Sequence, residues 1–325
     1  MARGGGRNPA FLPREQQVSR KVSWLLRHGA HSEGLQLGKG GYVGVDAALR
    51  TRCLTALKVT FPELRDVVRT NDKQRFSMVL RERLEGAGSE EEAEKVGGVD
   101  VGEGEGEEED PGRWVIRANQ GHSIKVDAEG LLTPVEVERG NVPDVVVHGT
   151  DEGAWNLILK SGGLRRMGRN HIHFASGLPA GFKALDVGEA MGEEKEVPPV
   201  ISGMRRSSTV LVYVDILAAM EKGVKFFVSE NGVILTEGDD KGLLPYEFFK
   251  RVENRKKGGG VLMSEGVLPE GVEVDVDAWE KEVGSRGRKG GRGRGRGGRG
   301  GRGGQGSGGG KARANDDSGD LLAGV

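Results

Sequence analysis

The sequence predicts an α+β protein, with an N-terminal winged-helix lobe, a second lobe richer in strands, and a disordered Arg/Gly tail. Three observations carry this prediction. Apolar residues near the start recur at helical spacing, short apolar runs from Tyr42 onward read as strands, and the sequence from Ser285 is poor in apolar side chains. The later strands are not separated by regular helical crossovers, which argues for a compact α+β lobe over a doubly wound parallel sheet.

From Arg14 to Ala30, Val18, Val22, Leu25 and Leu26 recur at i, i+4, i+7 and i+8, the spacing of an amphipathic helix, and Gly29 is placed to end it. A short strand follows at Tyr42 to Val45, then helices at Asp46 to Leu57 and Pro62 to Val68, the latter opening on proline. Alternating Phe76, Met78 and Leu80 predict a strand, and Trp114 to Ala118 its hairpin partner, so the acidic Gly/Glu run between them becomes the hairpin loop. Helix, strand, helix, helix and hairpin together suggest the winged-helix lobe. In the second lobe, strands are expected at Val145 to Val147, His171 to Ala175, Val210 to Asp215, Lys225 to Val228 and Val233 to Thr236, with helices at Glu152 to Ser161 and Pro245 to Val252. The chain thus divides into a disordered N-terminus (1–13), the first lobe (14–127) with an acidic insertion (85–110), the second lobe (128–256), a linker (257–284) and the tail (285–325).

Composition bounds the function. With 57 glycines and 30% charged residues in 325, a large part of the chain lies outside any core. The single cysteine, Cys53, excludes a disulfide framework and a thiolate metal cage, and fits the cytoplasm or nucleus. The positive start MARGGGRNPA has no apolar region after it, and nowhere do about 18 apolar residues run together, so neither secretion nor membrane spanning is expected. A net charge of −1 conceals segregation: acids crowd between Glu85 and Asp110, while seven arginines lie between Arg286 and Arg302. Such a tail is expected to bind nucleic-acid backbone without sequence preference.

Several short segments carry side chains suited to an anion. At 100° per residue Arg27 falls opposite the apolar stripe of the first helix and His28 near its border, so both can face a ligand or simply end a helix as solvated and half-buried groups. Lys73 and Arg75 enter a strand two residues apart and point to one side, which suits a phosphate and equally suits a strand edge protected by charge. Arg117 to Ser123 packs donors around Gly121, and His148-Gly149-Thr150 puts a histidine and a hydroxyl at a strand end. Arg169, Asn170, His171 and His173 follow on another strand, with Arg169, His171 and His173 on one side; His-x-His can be half a metal site, but with six histidines and one cysteine in the chain an anion-binding role ranks above metal.

Taken in order, LLRHGA, GYVGVDAAL, NDKQRF, RANQGHS, HGT, MGRNHIHFASG, SGMR and SENGVILTEG resemble the tRNA 2′-phosphotransferase family, over roughly Val18 to Val252. The resemblance implies a winged-helix RNA lobe and an ADP-ribosyltransferase-like lobe with substrate between them. It implies a catalytic set of Arg27, His28, Arg75 and Arg169, with Lys73 binding the substrate phosphate. His148, Gly149 and Thr150, with Ser123, Asn170 and His171, match positions at the NAD or phosphate site, and Ser229 to Gly232 match more loosely. Partners so implied are tRNA bearing a splice-junction 2′-phosphate and NAD, consumed as a co-substrate by a monomer without metal. The phosphate would be transferred to NAD in two steps, leaving 2′-OH RNA, ADP-ribose 1″,2″-cyclic phosphate and nicotinamide. The acidic insertion and the Arg/Gly tail depart from the family pattern. Competing readings are a histidine phosphatase, whose motif shares only Arg27-His28-Gly29, a non-catalytic RNA-binding protein, and a transferase with another acceptor.

Overall fold

The structure, a computed structural model, describes residues 11–86, 110–126, 130–178, 204–205, 207–256 and 258–289. The expectations for residues 1–10, for most of the acidic insertion and for the tail beyond Lys289 fall outside these residues. Within them the protein is a mixed α+β structure.

The first lobe opens on α1 (Arg14–Trp24), which passes into a π-helical turn at Leu25–Gly29. Strand β1 (Val43–Gly44) leads into α2 (Val45–Leu49) and α3 (Arg52–Thr55), so the single helix expected over Asp46 to Leu57 is broken at Arg50 and Thr51. Helix α4 (Phe61–Arg69) follows, with Thr60 capping its start through a bond from the Glu63 amide. Strands β2 (Phe76–Leu80) and β3 (Trp114–Ala118) form the expected antiparallel hairpin, with Met78 opposite Ile116, and β1 pairs on the other side of β3. Helix α5 (Arg81–Gly86) continues directly from β2. Val18, Val22, Leu25, Leu26, Leu64, Phe76, Met78 and Trp114 close one core between the helices and this sheet.

The second lobe is an antiparallel sheet of eight strands, in the order β13-β12-β8-β5-β7-β10-β9-β4. Its members are β4 (Leu132–Pro134), β5 (Val147–Thr150), β7 (Ile172–Ala175), β8 (Val210–Val214), β9 (Phe226–Ser229), β10 (Val233–Thr236), β12 (Phe249–Asn254) and β13 (Val261–Ser264). Helix α6 (Glu152–Ser161) coincides with the sequence expectation because both ends are marked: Asp151 accepts from the Ala154 amide, and Gly162 takes the left-handed conformation after the last turn. Strands β6 (Gly163–Arg165) and β11 (Leu243–Pro245) pair separately, and a short α7 (Ile216–Glu221) follows β8.

Two expectations are corrected here. Pro245 to Val252 is not a helix: a single 3₁₀ turn at Tyr246–Phe248 gives way to β12, which bonds to β8 on one side and β13 on the other. A short apolar run fits either period, and two available ladder partners satisfy its backbone better than a short isolated helix would. The segment 257–284 is more than a linker, since it supplies β13 to the sheet and enters α8 (Val276–Lys289), whose Lys160–Glu282 ion pair ties it to α6. No helix among the described residues is long and apolar enough to cross a membrane.

Candidate active site

One loop, Asn119 to Ile124, joins the segments that carry the anion-binding candidates. It leaves β3 where the Asn119 amide donates to the Arg75 carbonyl (2.9 Å), and it reaches the π-helical turn after α1 where the Ser123 amide donates to the Arg27 carbonyl (3.0 Å). Beyond, the His122 carbonyl accepts from the Asn170 amide and the Ile124 carbonyl from Asn170 Nδ2, both at 2.9 Å. Segments far apart in sequence are thereby fixed to one backbone.

The helix end differs from its wheel projection. Arg27 is only 1% exposed, with Leu25 and Leu26 buried beside it, so of the two alternatives for this arginine the solvated helix end is excluded. The cause is the π-helical turn, whose wider i→i+5 winding turns side chains away from the positions that 100° per residue assigns. Gly121, at φ +88°, lies against the guanidinium; a Cβ there would come within 3.3 Å of Arg27 Nε. His28 stays partly exposed, its Nδ1 2.8 Å from Ser123 Oγ, which sets the ring plane.

Lys73 and Arg75 are also presented differently from the expected strand alternation. β2 begins only at Phe76, and Asn71 to Arg75 is a turn with Gln74 at φ +45°, a conformation that a non-glycine residue holds only when its surroundings enforce it. Asparagines enforce it. Asn71 Oδ1 accepts from the Arg75 amide and guanidinium (3.2 and 3.3 Å), Asn119 Nδ2 donates to the Gln74 carbonyl (2.9 Å), and Asn231 Nδ2, from the other lobe, donates to the Lys73 carbonyl (2.9 Å). Arg169 likewise sits in a turn ahead of β7, after Met167 at φ +53°, so it does not share a strand face with His171 and His173.

Three histidines, His122, His148 and His171, are biased toward the neutral form. Burial, then the positive charge of Arg27, pushes His122 down to about 3. Burial lowers His171 as well, with Glu237 opposing and Arg166 assisting, and its ring lies edge-on to Phe227. His148 is lowered first by burial and further by Arg205 and Arg169, against a backbone bond that raises it. That bond joins Nδ1 to the His173 carbonyl at 2.9 Å. A carbonyl only accepts, so Nδ1 carries the proton and Nε2, enclosed and without a hydrogen-bond partner among the described residues, is an acceptor.

The ring of His148 stands where β5 and β7 part, since these strands pair only at Val147 and Ala175 while β5 stays paired to β8 through Thr150. Gly149 is required for a reason the sequence did not show: a Cβ would meet Met204 Cγ at 2.3 Å and Ser208 Oγ at 2.6 Å. Thr150 is buried next to them. Arg117, Asn119, His122 and Glu230 lie within the segments Arg117 to Ser123 and Ser229 to Gly232 that the sequence marked, but none was singled out as a site residue, because buried polar residues on turns have no periodicity to reveal them. Among the described residues no cluster of three or more His, Cys, Asp or Glu side chains is arranged to hold a metal ion.

Arg27, Arg75 and Arg169 thus come from three segments bonded to one loop, beside the lowered imidazoles of His122, His148 and His171, and guanidinium groups are suited to pair with phosphate. A family model described as RNA 2′-phosphotransferase, Tpt1 / KptA family, matches residues 13–238, and the chain belongs to that family. It is 37% identical over 244 residues to tRNA 2′-phosphotransferase 1 of Danio rerio, covering 75% of this chain and 87% of that protein. It is 30% identical over 242 residues to the tRNA 2′-phosphotransferase of Saccharomyces cerevisiae, with 74% and 84% covered. A bacterial relative, the probable RNA 2′-phosphotransferase of Trichormus variabilis, is 30% identical over 224 residues, with 69% and 92% covered.

Proposed function

We propose that this protein removes the splice-junction 2′-phosphate from tRNA by transferring it to NAD, acting inside the cytoplasm or nucleus. The observation that carries the reading is the loop Asn119 to Ile124, which ties Arg27, His28, Arg75 and the Arg169-Asn170-His171 segment together beside His148. The helices and three-stranded sheet of the first half support a winged-helix RNA lobe; the antiparallel sheet with parted β5 and β7 supports an ADP-ribosyltransferase-like lobe.

NAD fits the second lobe by its donor set. The enclosed Nε2 of His148 needs a hydroxyl donor, which a ribose supplies, and Thr150 and Asn170 lie on the segments flanking the same parting of strands. As co-substrate NAD supplies an electrophilic C1″ and a good leaving group. A 2′-phosphate monoester, mostly dianionic at neutral pH, needs no strong base to attack that carbon. Nicotinamide leaves with the electron pair of the broken C1″–N bond. The 2″-hydroxyl then attacks phosphorus, the bond to the RNA O2′ breaks, and the proton passes to the departing 2′-OH, giving ADP-ribose 1″,2″-cyclic phosphate. Arg27, Arg75 and Arg169, with Lys73, hold the phosphate through both steps, and bidentate guanidinium pairing suits its changing charge. His28, oriented through Ser123, supplies a hydrogen bond or a proton.

The test is incubation of the purified protein with 2′-phosphorylated RNA, with and without NAD, resolving RNA and nucleotide products. Phosphate loss is expected only with NAD and is expected to survive a chelator. Release of inorganic phosphate without NAD would place the protein with the phosphatases. A second test addresses the tail. Because α8 runs to Lys289, the truncation removes residues 290–325, and it is expected to weaken RNA binding at low salt while leaving kcat on a short substrate nearly unchanged. A large fall in kcat would make the tail part of the site.

A further inference from the structure

The hairpin turn between β9 and β10, Ser229-Glu230-Asn231-Gly232, reaches across to the first lobe at two places. Asn231 Nδ2 donates to the Lys73 carbonyl (2.9 Å), and Glu230 Oε2 accepts from Ser77 Oγ (2.5 Å) and Arg117 Nη2 (3.0 Å). Neither contact is incidental. Ser229 Oγ accepts from the Val233 amide (3.1 Å) and lies 2.8 Å from Asn231 Oδ1 as a donor, so the amide of Asn231 is oriented with its nitrogen toward Lys73. Arg117, whose side chain is 5% exposed, stacks over Tyr42 with its Cζ 4.6 Å from the ring centroid and donates to the Gly130 carbonyl (2.6 Å), so Glu230 partners a cation already withdrawn from water. Ser77 follows the turn that carries Lys73 and Arg75, and Asn119, which holds the Gln74 carbonyl, lies 2.6 Å from the same Ser77 hydroxyl. The strained turn is therefore held from its own lobe by Asn71 and Asn119 and from the other lobe by Asn231.

We propose that the Ser229–Gly232 turn is an interlobe clasp, in which Asn231 and Glu230 are positioning residues that keep the Lys73–Arg75 turn aligned with the second lobe during transfer. The inference rests on the reading that Arg75 serves the reacting phosphate. A left-handed glutamine between two cations relaxes unless its flanking carbonyls are held, and relaxation displaces Arg75. The clasp thus couples lobe alignment to the placement of one catalytic arginine.

The test is a double-mutant cycle on the full chain with Asn231→Ala, Arg75→Ser and the pair, with Glu230→Gln as a milder second variant. Asn231→Ala is expected to lower kcat about tenfold or more, a typical consequence of losing one positioning hydrogen bond, with the KM for NAD within about twofold. In the Arg75→Ser background the same substitution is expected to add little, because it acts through Arg75. An undiminished effect in that background would overturn the proposal. Hydrogen–deuterium exchange gives a readout independent of activity: peptides spanning residues 71–76 are expected to exchange faster in Asn231→Ala and in Glu230→Gln, while the melting temperature stays close to that of the parent. Unchanged exchange there would overturn the clasp even if turnover fell as expected. If the parent protein itself showed no NAD-dependent transfer, the proposed function would fail while the exchange result still decided the clasp.

Discussion

Arg75→Ser combined with Lys73→Ala, or Arg169→Ala alone, is expected to accumulate RNA carrying 2′-phospho-ADP-ribose. In the first step the phosphate loses charge as it attacks C1″, so the cations chiefly position it. In the second step a phosphodiester gains charge at phosphorus, and the same cations must stabilise that increase. Removing one preorganised donor of this kind costs roughly 2.7 to 4 kcal/mol, or about 100- to 1,000-fold in rate, and the loss falls mainly on the second step. His148→Ala is expected to behave oppositely: without the enclosed Nε2 acceptor, use of NAD fails and substrate persists with no intermediate. A gel time course separating substrate, intermediate and product reads both results. If the arginine variants leave only unreacted substrate at every time, their assignment to the second step is wrong.

The protein is expected to lose stability below about pH 6.5, and to do so through its histidines before its carboxylates titrate. His122 drops from 6.5 unfolded to about 3 folded, so in that window the unfolded chain binds a proton that the native state refuses. Stability is then intact above pH 6.5 and falls with pH by up to about 1.4 kcal/mol per unit for each such proton, on the order of 5 kcal/mol for His122 across its whole window. His148 and His171 are lowered too and add in the same direction. Chemical denaturation at pH 7, 6 and 5 measures the slope. His122→Asn is expected to flatten it by close to one proton, and a slope identical to that of the parent would show that His122 does not carry the effect. Measuring the slope keeps the test valid even if the variant starts less stable.

The elements that could be read from the sequence are those whose signals are local. Helix α6 and strands β3 and β10 fall where the sequence placed them, and the β2–β3 hairpin forms where alternation over Phe76, Met78 and Leu80 meets the apolar run Trp114 to Ala118 beyond the acidic insertion. The ordered motifs also named Arg27, His28, Arg75, His148 and Arg169 as candidate site residues. What lay beyond local signals was their presentation. Arg27 is enclosed because a π-helical turn rotates it inward, Lys73 and Arg75 ride on a turn strained at Gln74, and Gly149 makes room for Met204 and Ser208. β12 became a strand because β8 and β13 were there to pair with it. The sequence by itself determined the α+β composition and the chemical identity of the cations, since residue type and short-range spacing set both. Only the tertiary structure decided that one loop would join those cations and that Glu230 and Asn231 would reach across to hold them, because hydrogen bonds between residues more than a hundred positions apart leave no periodic trace in the chain.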